Sequence, residues 1–105
     1  MRHSRTPEFA TERRRHRRWN LPVAVRELRP ESHILRATNI SAGGLYCPHA
    51  GPRKLGENLL VEIDLGPKRV FVAAAKVIEA TPSGLRLQFL MPQQQLELAL
   101  RKLAV

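Results

Sequence analysis

Cysteine, aspartate and aromatic residues are scarce in this 105-residue chain, and each scarcity removes a class of function. Cys47 is the only cysteine, so no disulfide can close within the chain; a reducing compartment, the cytoplasm, is the expected location. The same residue reads as a small buried apolar side chain rather than a nucleophile. Asp64 is the only aspartate and the glutamates are scattered, which leaves no paired-carboxylate site for acid–base work. His3, His16, His33 and His49 show no metal-ligand spacing and have no cysteine pair beside them, so neither a metal nor a cofactor is expected. The chain does not read as an enzyme. One tryptophan, one tyrosine and three phenylalanines offer few platforms for stacked bases, which counts against nucleic acid as the partner. No apolar run approaches the roughly 18 residues of a membrane span, and the N-terminal segment lacks the apolar stretch of a secretory signal. A soluble protein is expected.

What the chain does have is positive charge. Lys and Arg number 18 against 9 acidic residues, a net charge of +9, which predicts an anionic partner without choosing among nucleotides, nucleic acid and membrane surfaces. The charge is unevenly placed. Arg2, Arg5, Arg13, Arg14, Arg15, Arg17 and Arg18 face only Glu8 and Glu12, a local net of +5 that leaves +4 for the rest. This arm is nearly devoid of apolar residues and contains Pro7, so burial cannot offset the entropy of ordering it, and a flexible segment is expected.

By length the chain is one domain with one modest core. From Leu21-Pro22 onward short apolar segments alternate with turns. Strands are expected at Val23 to Leu28, His33 to Asn39, Leu45 to Pro48, Asn58 to Leu65, Arg69 to Glu79 and Leu85 to Phe89. The clearest is the fourth, where Leu59, Val61, Ile63 and Leu65 alternate with Leu60, Glu62 and Asp64. Six strands in this order predict an all-β fold, an antiparallel barrel that removes exposed edges by closing. Leu96, Leu100 and Leu103 then recur at helical spacing after Pro92, which predicts one C-terminal amphipathic helix at about residues 92–104.

Two features carry chemistry. In Glu12-Arg13-Arg14-Arg15-His16-Arg17-Arg18 the spacing Arg-x-x-x-Arg occurs twice, as Arg14 with Arg18 and as Arg13 with Arg17. A guanidinium is planar, permanently charged and able to donate two parallel hydrogen bonds to a phosphate or to the O6 and N7 edge of guanine. Four residues apart, two such groups share one face of a helix or lie about 13 Å apart on an extended chain. The second feature is Asn39-Ile40-Ser41-Ala42-Gly43-Gly44. Asn39 and Ser41 point to one side of an extended backbone while Ile40 points into the core. Gly43 and Gly44 permit positive φ and the close approach of a flat ligand. Taken singly, the first feature reads as a solvated or loosely nucleic-acid-binding tail, and the second as a polar turn.

Taken together, an Arg-x-x-x-Arg arm ahead of a small barrel and a loop of the form Asp/Asn-x-Ser-x-x-Gly resemble the PilZ domain family, receptors for the bacterial second messenger cyclic di-GMP. The likeness runs over Glu12 to Arg18, Leu21-Pro22-Val23, Asn39 to Leu45, Leu55-Gly56, Leu59 to Leu65 and Leu85 to Phe89 before the C-terminal helix. It implies a flexible arm at residues 1–20 and a PilZ-like barrel at 21–105. It assigns Arg14 and Arg18 to the gripping arginines, with Asn39, Ser41 and Gly44 holding a guanine against the barrel. Arg13, just before the motif, is implied to favour a stacked pair of ligand molecules, and Arg86 stands where the last strand of the family often has glycine. The implied function is bacterial signalling: the ligand orders the arm, and an unidentified protein partner reads the change. Two alternatives remain at this level, a PilZ-like protein-interaction adaptor without nucleotide binding and a nonspecific nucleic-acid-binding basic protein.

Overall fold

The computed structural model describes residues 16–28, 34–48 and 52–103. Along these run β1 (Arg18–Trp19), β2 (Val23–Glu27), β3 (Ile34–Ala37), β4 (Asn39–Ser41), β5 (Gly44–Pro48), β6 (Asn58–Asp64), β7 (Val70–Thr81), β8 (Gly84–Phe89) and the helix α1 (Gln94–Leu103). The strands form one antiparallel sheet in the order β1-β4-β5-β8-β7-β6-β2-β3.

The β6–β7 hairpin follows directly from sequence. Leu59, Val61 and Ile63 are buried with Ala73, Ala75 and Val77, and the residues between them face outward. Its turn is fixed by the left-handed backbone of Gly66 (φ 126°) and Lys68 (φ 61°), and the Gly66 N–H donates to Asp64 Oδ1 at 2.8 Å. At the far end of β7 a bulge between Val77 and Glu79 shifts the register against β8.

The sheet is not the closed six-stranded barrel that the segment count predicts: it has eight strands and its two edges are not paired. One extra strand comes from the end of the basic segment, where Arg18 and Trp19 pair with Ser41 and Ile40. The other arises because the expected second strand breaks at Thr38. β3 lies at one edge of the sheet and β4 is next to the other edge, yet Thr38 alone separates them in the chain. The sheet must therefore curl until its two sides meet at this residue. The Thr38 N–H, turned out of the β2–β3 ladder, donates to the Tyr46 carbonyl at 3.0 Å.

The curled sheet encloses a core of Val25, Ile40, Leu45, Ile63, Leu85 and Leu87, which α1 covers with Leu96 and Leu100. Leu103 stays exposed at the helix end. Cys47 is also interior; burial pushes its thiol up to about 12, with the nearby Arg53 charge acting in the opposite direction. Arg53 itself reaches inward to Glu27, a fully buried carboxylate, at 2.5 Å. That pair ties the segment before β6 to the end of β2. No helix among the described residues is long and apolar enough to cross a membrane.

Candidate functional site

The outer side of β1, β4, β5 and β8 carries two cross-strand rows, in which Ser41 is itself buried, at 8% exposure. In the first, Arg18 stands opposite Ser41, Ser41 opposite Gly44, Gly44 opposite Gln88 and Gln88 opposite Lys76. In the second, Asn39 stands opposite Tyr46, Tyr46 opposite Arg86 and Arg86 opposite Glu79. Arg18, Arg86 and Lys76 give this face its positive charge, and the hydroxyls and amides between them supply neutral hydrogen-bonding groups. The arrangement suits a planar, anionic molecule.

β1 is only two residues long, and it is held by its one large side chain. Trp19 is 5% exposed and joins the core, so its neighbour Arg18 must face outward beside Ser41. The Arg17 guanidinium lies 5.1 Å from the centre of the Trp19 ring, within cation–π reach. Trp19 Nε1 is buried without a hydrogen-bond partner among the described residues. Asn20 follows β1 and accepts at Oδ1 from Asn39 Nδ2 at 2.6 Å, tying the end of the arm to the loop motif.

The turn after β4 is held from within and from behind. Ser41 Oγ accepts from the Gly43 N–H at 3.0 Å. The Ala42 carbonyl accepts from the Gln93 N–H and the Gly43 carbonyl from the Phe89 N–H, each at 2.9 Å. One use expected of the glycines is not taken up: among the described residues the positive-φ glycines are Gly56 and Gly66, not Gly43 or Gly44. What they provide is proximity. A Cβ on Gly43 would come within 2.8 Å of His16 Cδ2, and a Cβ on Gly44 would collide with the Leu87 carbonyl oxygen. His16 is therefore a turn-packing residue, which its place in an arginine run did not reveal. Asn20 was also missed; its position one residue past Trp19 was the available signal.

Of the residues singled out in the sequence, Arg18, Asn39, Ser41, Gly43 and Gly44 converge on one face, whereas Arg13 and Arg14 lie outside the described residues. Arg86 is on the same face, 5.3 Å from the centre of the Tyr46 ring and 3.1 Å from Glu79 Oε1. Among the described residues no three His, Cys, Asp or Glu side chains gather as metal ligands.

Residues 12–104 match the model of the PilZ domain family. The chain belongs to the PilZ domain family. Solved structures share the fold, among them the following three. YcgR from Escherichia coli in complex with c-di-GMP superposes with a TM-score of 0.71 at 22% identity, over 88% of this chain and 46% of that one. The Bacillus subtilis inhibitor of motility, MotI/DgrA, gives 0.68 at 21% identity, over 87% and 51%. The PilZ domain of E. coli YcgR with c-di-GMP gives 0.64 at 21%, over 88% and 94%. The PilZ chain described here thus spans about half the length of the first two. No curated protein matches it.

Proposed function

We propose that this PilZ domain is a cytoplasmic receptor for cyclic di-GMP, held between the arginine arm and the outer face of β4 and β5, and that binding is relayed to a protein partner through a change in the arm. The observation that carries this reading is the register of Arg18 opposite Ser41, with Asn39 on the same face and the Gly43-Gly44 turn alongside. The solved E. coli YcgR structures with c-di-GMP lend it support through the shared fold.

In this reading Arg18 and Arg14, with Arg13 beside them, meet the phosphates and a guanine edge. Asn39, Ser41, Gly43 and Gly44 receive a guanine against the sheet. Arg18 faces the polar row, while Arg17 is occupied with the Trp19 ring, which favours the Arg14/Arg18 register over Arg13/Arg17.

Titration calorimetry with cyclic di-GMP tests the proposal. Each charge-assisted arginine contact is worth about 1.5–3 kcal/mol, so Arg14→Ala with Arg18→Ala should weaken binding at least about tenfold. Arg13→Ala with Arg17→Ala should do less. No heat at micromolar ligand, or full affinity in the Arg14/Arg18 variant, rejects the reading. Equal binding of a linear dinucleotide with steep salt dependence would instead identify a general polyanion site.

A further inference from the structure

Arg86, on the outer side of β8, is held in place but only partly used. Its Nε donates to Glu79 Oε1 at 3.1 Å, and its guanidinium carbon lies 5.3 Å from the centre of the Tyr46 ring. A guanidinium has five N–H donors, one on Nε and four on the two terminal nitrogens. Among the described residues Nη1 and Nη2 have no hydrogen-bond partner. They form the end-on fork that meets a phosphate with two parallel bonds. The platform under Arg86 is itself fixed. The Tyr46 hydroxyl donates to the Ser83 carbonyl at 3.2 Å, and a Cβ at position 84 would strike the Tyr46 side chain, so Gly84 makes room for the ring. An aromatic face and a carboxylate thus define the position of a long side chain before any ligand arrives, which lowers the entropy cost of using it.

This cation adjoins the residues that receive the ligand in the receptor reading. Tyr46 stands opposite Asn39 on one side and opposite Arg86 on the other. Arg86 is therefore two strand spacings, roughly 10 Å, from Asn39. A cyclic dinucleotide, with two bases and two phosphates, can bridge that distance. We propose that Arg86 is a further ligand-contacting residue: its Nη fork, laid on Tyr46 and steadied by Glu79, takes a phosphate of the cyclic dinucleotide on the β8 side, away from the arm. Such a contact presupposes the receptor reading and adds to it a cation supplied by the sheet rather than by the arm. The Glu79 pair does not stand in the way. It engages Nε alone, and with Glu79 51% exposed it is a surface pair of little strength.

Titration calorimetry of the full chain with cyclic di-GMP, at low and at physiological salt, tests the contact. Arg86→Ala should weaken binding at least about fivefold. Its affinity should also fall less steeply with salt than that of the wild type, because one ionic contact is gone. Arg86→Lys keeps the charge but not the planar fork, so it should restore the salt dependence and only part of the affinity. Arg26→Ala controls for the general field of a chain of net charge +9. Arg26 lies on β2, paired with Glu62, and at about 0.15 M salt its loss should leave the affinity unchanged. Circular dichroism confirms that the variants fold. If the wild type binds and the Arg14→Ala, Arg18→Ala variant is weakened while Arg86→Ala keeps full affinity, this contact is rejected and the receptor reading stands. Equal losses in Arg86→Ala and Arg26→Ala also overturn it, since they report net charge and not a contact. A wild type that gives no heat rejects both.

Discussion

β6 and β7 pair without interruption from Asn58–Lys76 to Asp64–Val70, whereas the ladder of β1 consists of Arg18–Ser41 and Trp19–Ile40. The hairpin is a local structure whose turn, alternation and packing agree with one another. The corner made by β1, β4 and β5 depends on partners far away in the chain: Trp19 on the core, Asn20 on Asn39, His16 on Gly43. The residues proposed to bind the ligand lie in the corner. This division is physically reasonable, because a surface that must receive a ligand draws on the less strongly tied parts of a fold, positioned by a rigid remainder. Stability and binding should therefore be separable by mutation.

The largest effect is expected on the scaffold side. Arg53→Ala withdraws one partner of the buried Glu27 carboxylate and should cost up to about 3–5 kcal/mol in urea unfolding. Adding Glu27→Gln should recover part of that loss. Ile63→Ala, near the end of β6 and fully buried, should cost about 2–5 kcal/mol while leaving the affinity of the folded fraction for cyclic di-GMP unchanged. An affinity that falls together with stability would erase the division between the two regions. Gly44→Ala crosses it deliberately. The added methyl strikes the Leu87 carbonyl, so β5 must move off β8; about 1–3 kcal/mol of stability should be lost together with ligand binding.

The smallest effect comes from Cys47, on the inner side of β5. Burial holds its folded pKa at about 12 against an ordinary 9.0, so the fold favours the neutral thiol. Its stabilising contribution is complete below pH 9 and declines as the pH rises toward 12, by about 1.4 kcal/mol per pH unit. The stability difference between wild type and Cys47→Ala should drift by about 1 kcal/mol between pH 9 and 10, where the unfolded thiol is still ionising, and a flat difference would contradict the burial. Alkylation of Cys47 at neutral pH sharpens the comparison further. Labelling faster than global unfolding allows would show that the corner opens while the hairpin stays shut.

Much of this was legible in the chain itself. The period-two alternation of Leu59 to Leu65 identifies β6 because burial on one face is a local property, and the same period sets Asn39 and Ser41 on one side of β4. The break at Thr38 was not legible. Nothing near it forbids a continuous strand, and it exists only because β5 offers its Tyr46 carbonyl from across the curled sheet. The pairing of Arg18–Trp19 with β4 was hidden for the same reason: two residues carry no periodicity. Gly43 and Gly44 stand out in the chain, but the positive φ expected of them is not adopted, and the groups that crowd them, His16 and Leu87, come from distant parts of the chain.

The turn after β4 has one further consequence, a mechanical one. Its Ala42 and Gly43 carbonyls are fastened to the N–H groups of Gln93 and Phe89, just ahead of α1, so the turn has no slack of its own. A load applied at Ser41 is passed through these two bonds to the root of α1, as through a short lever.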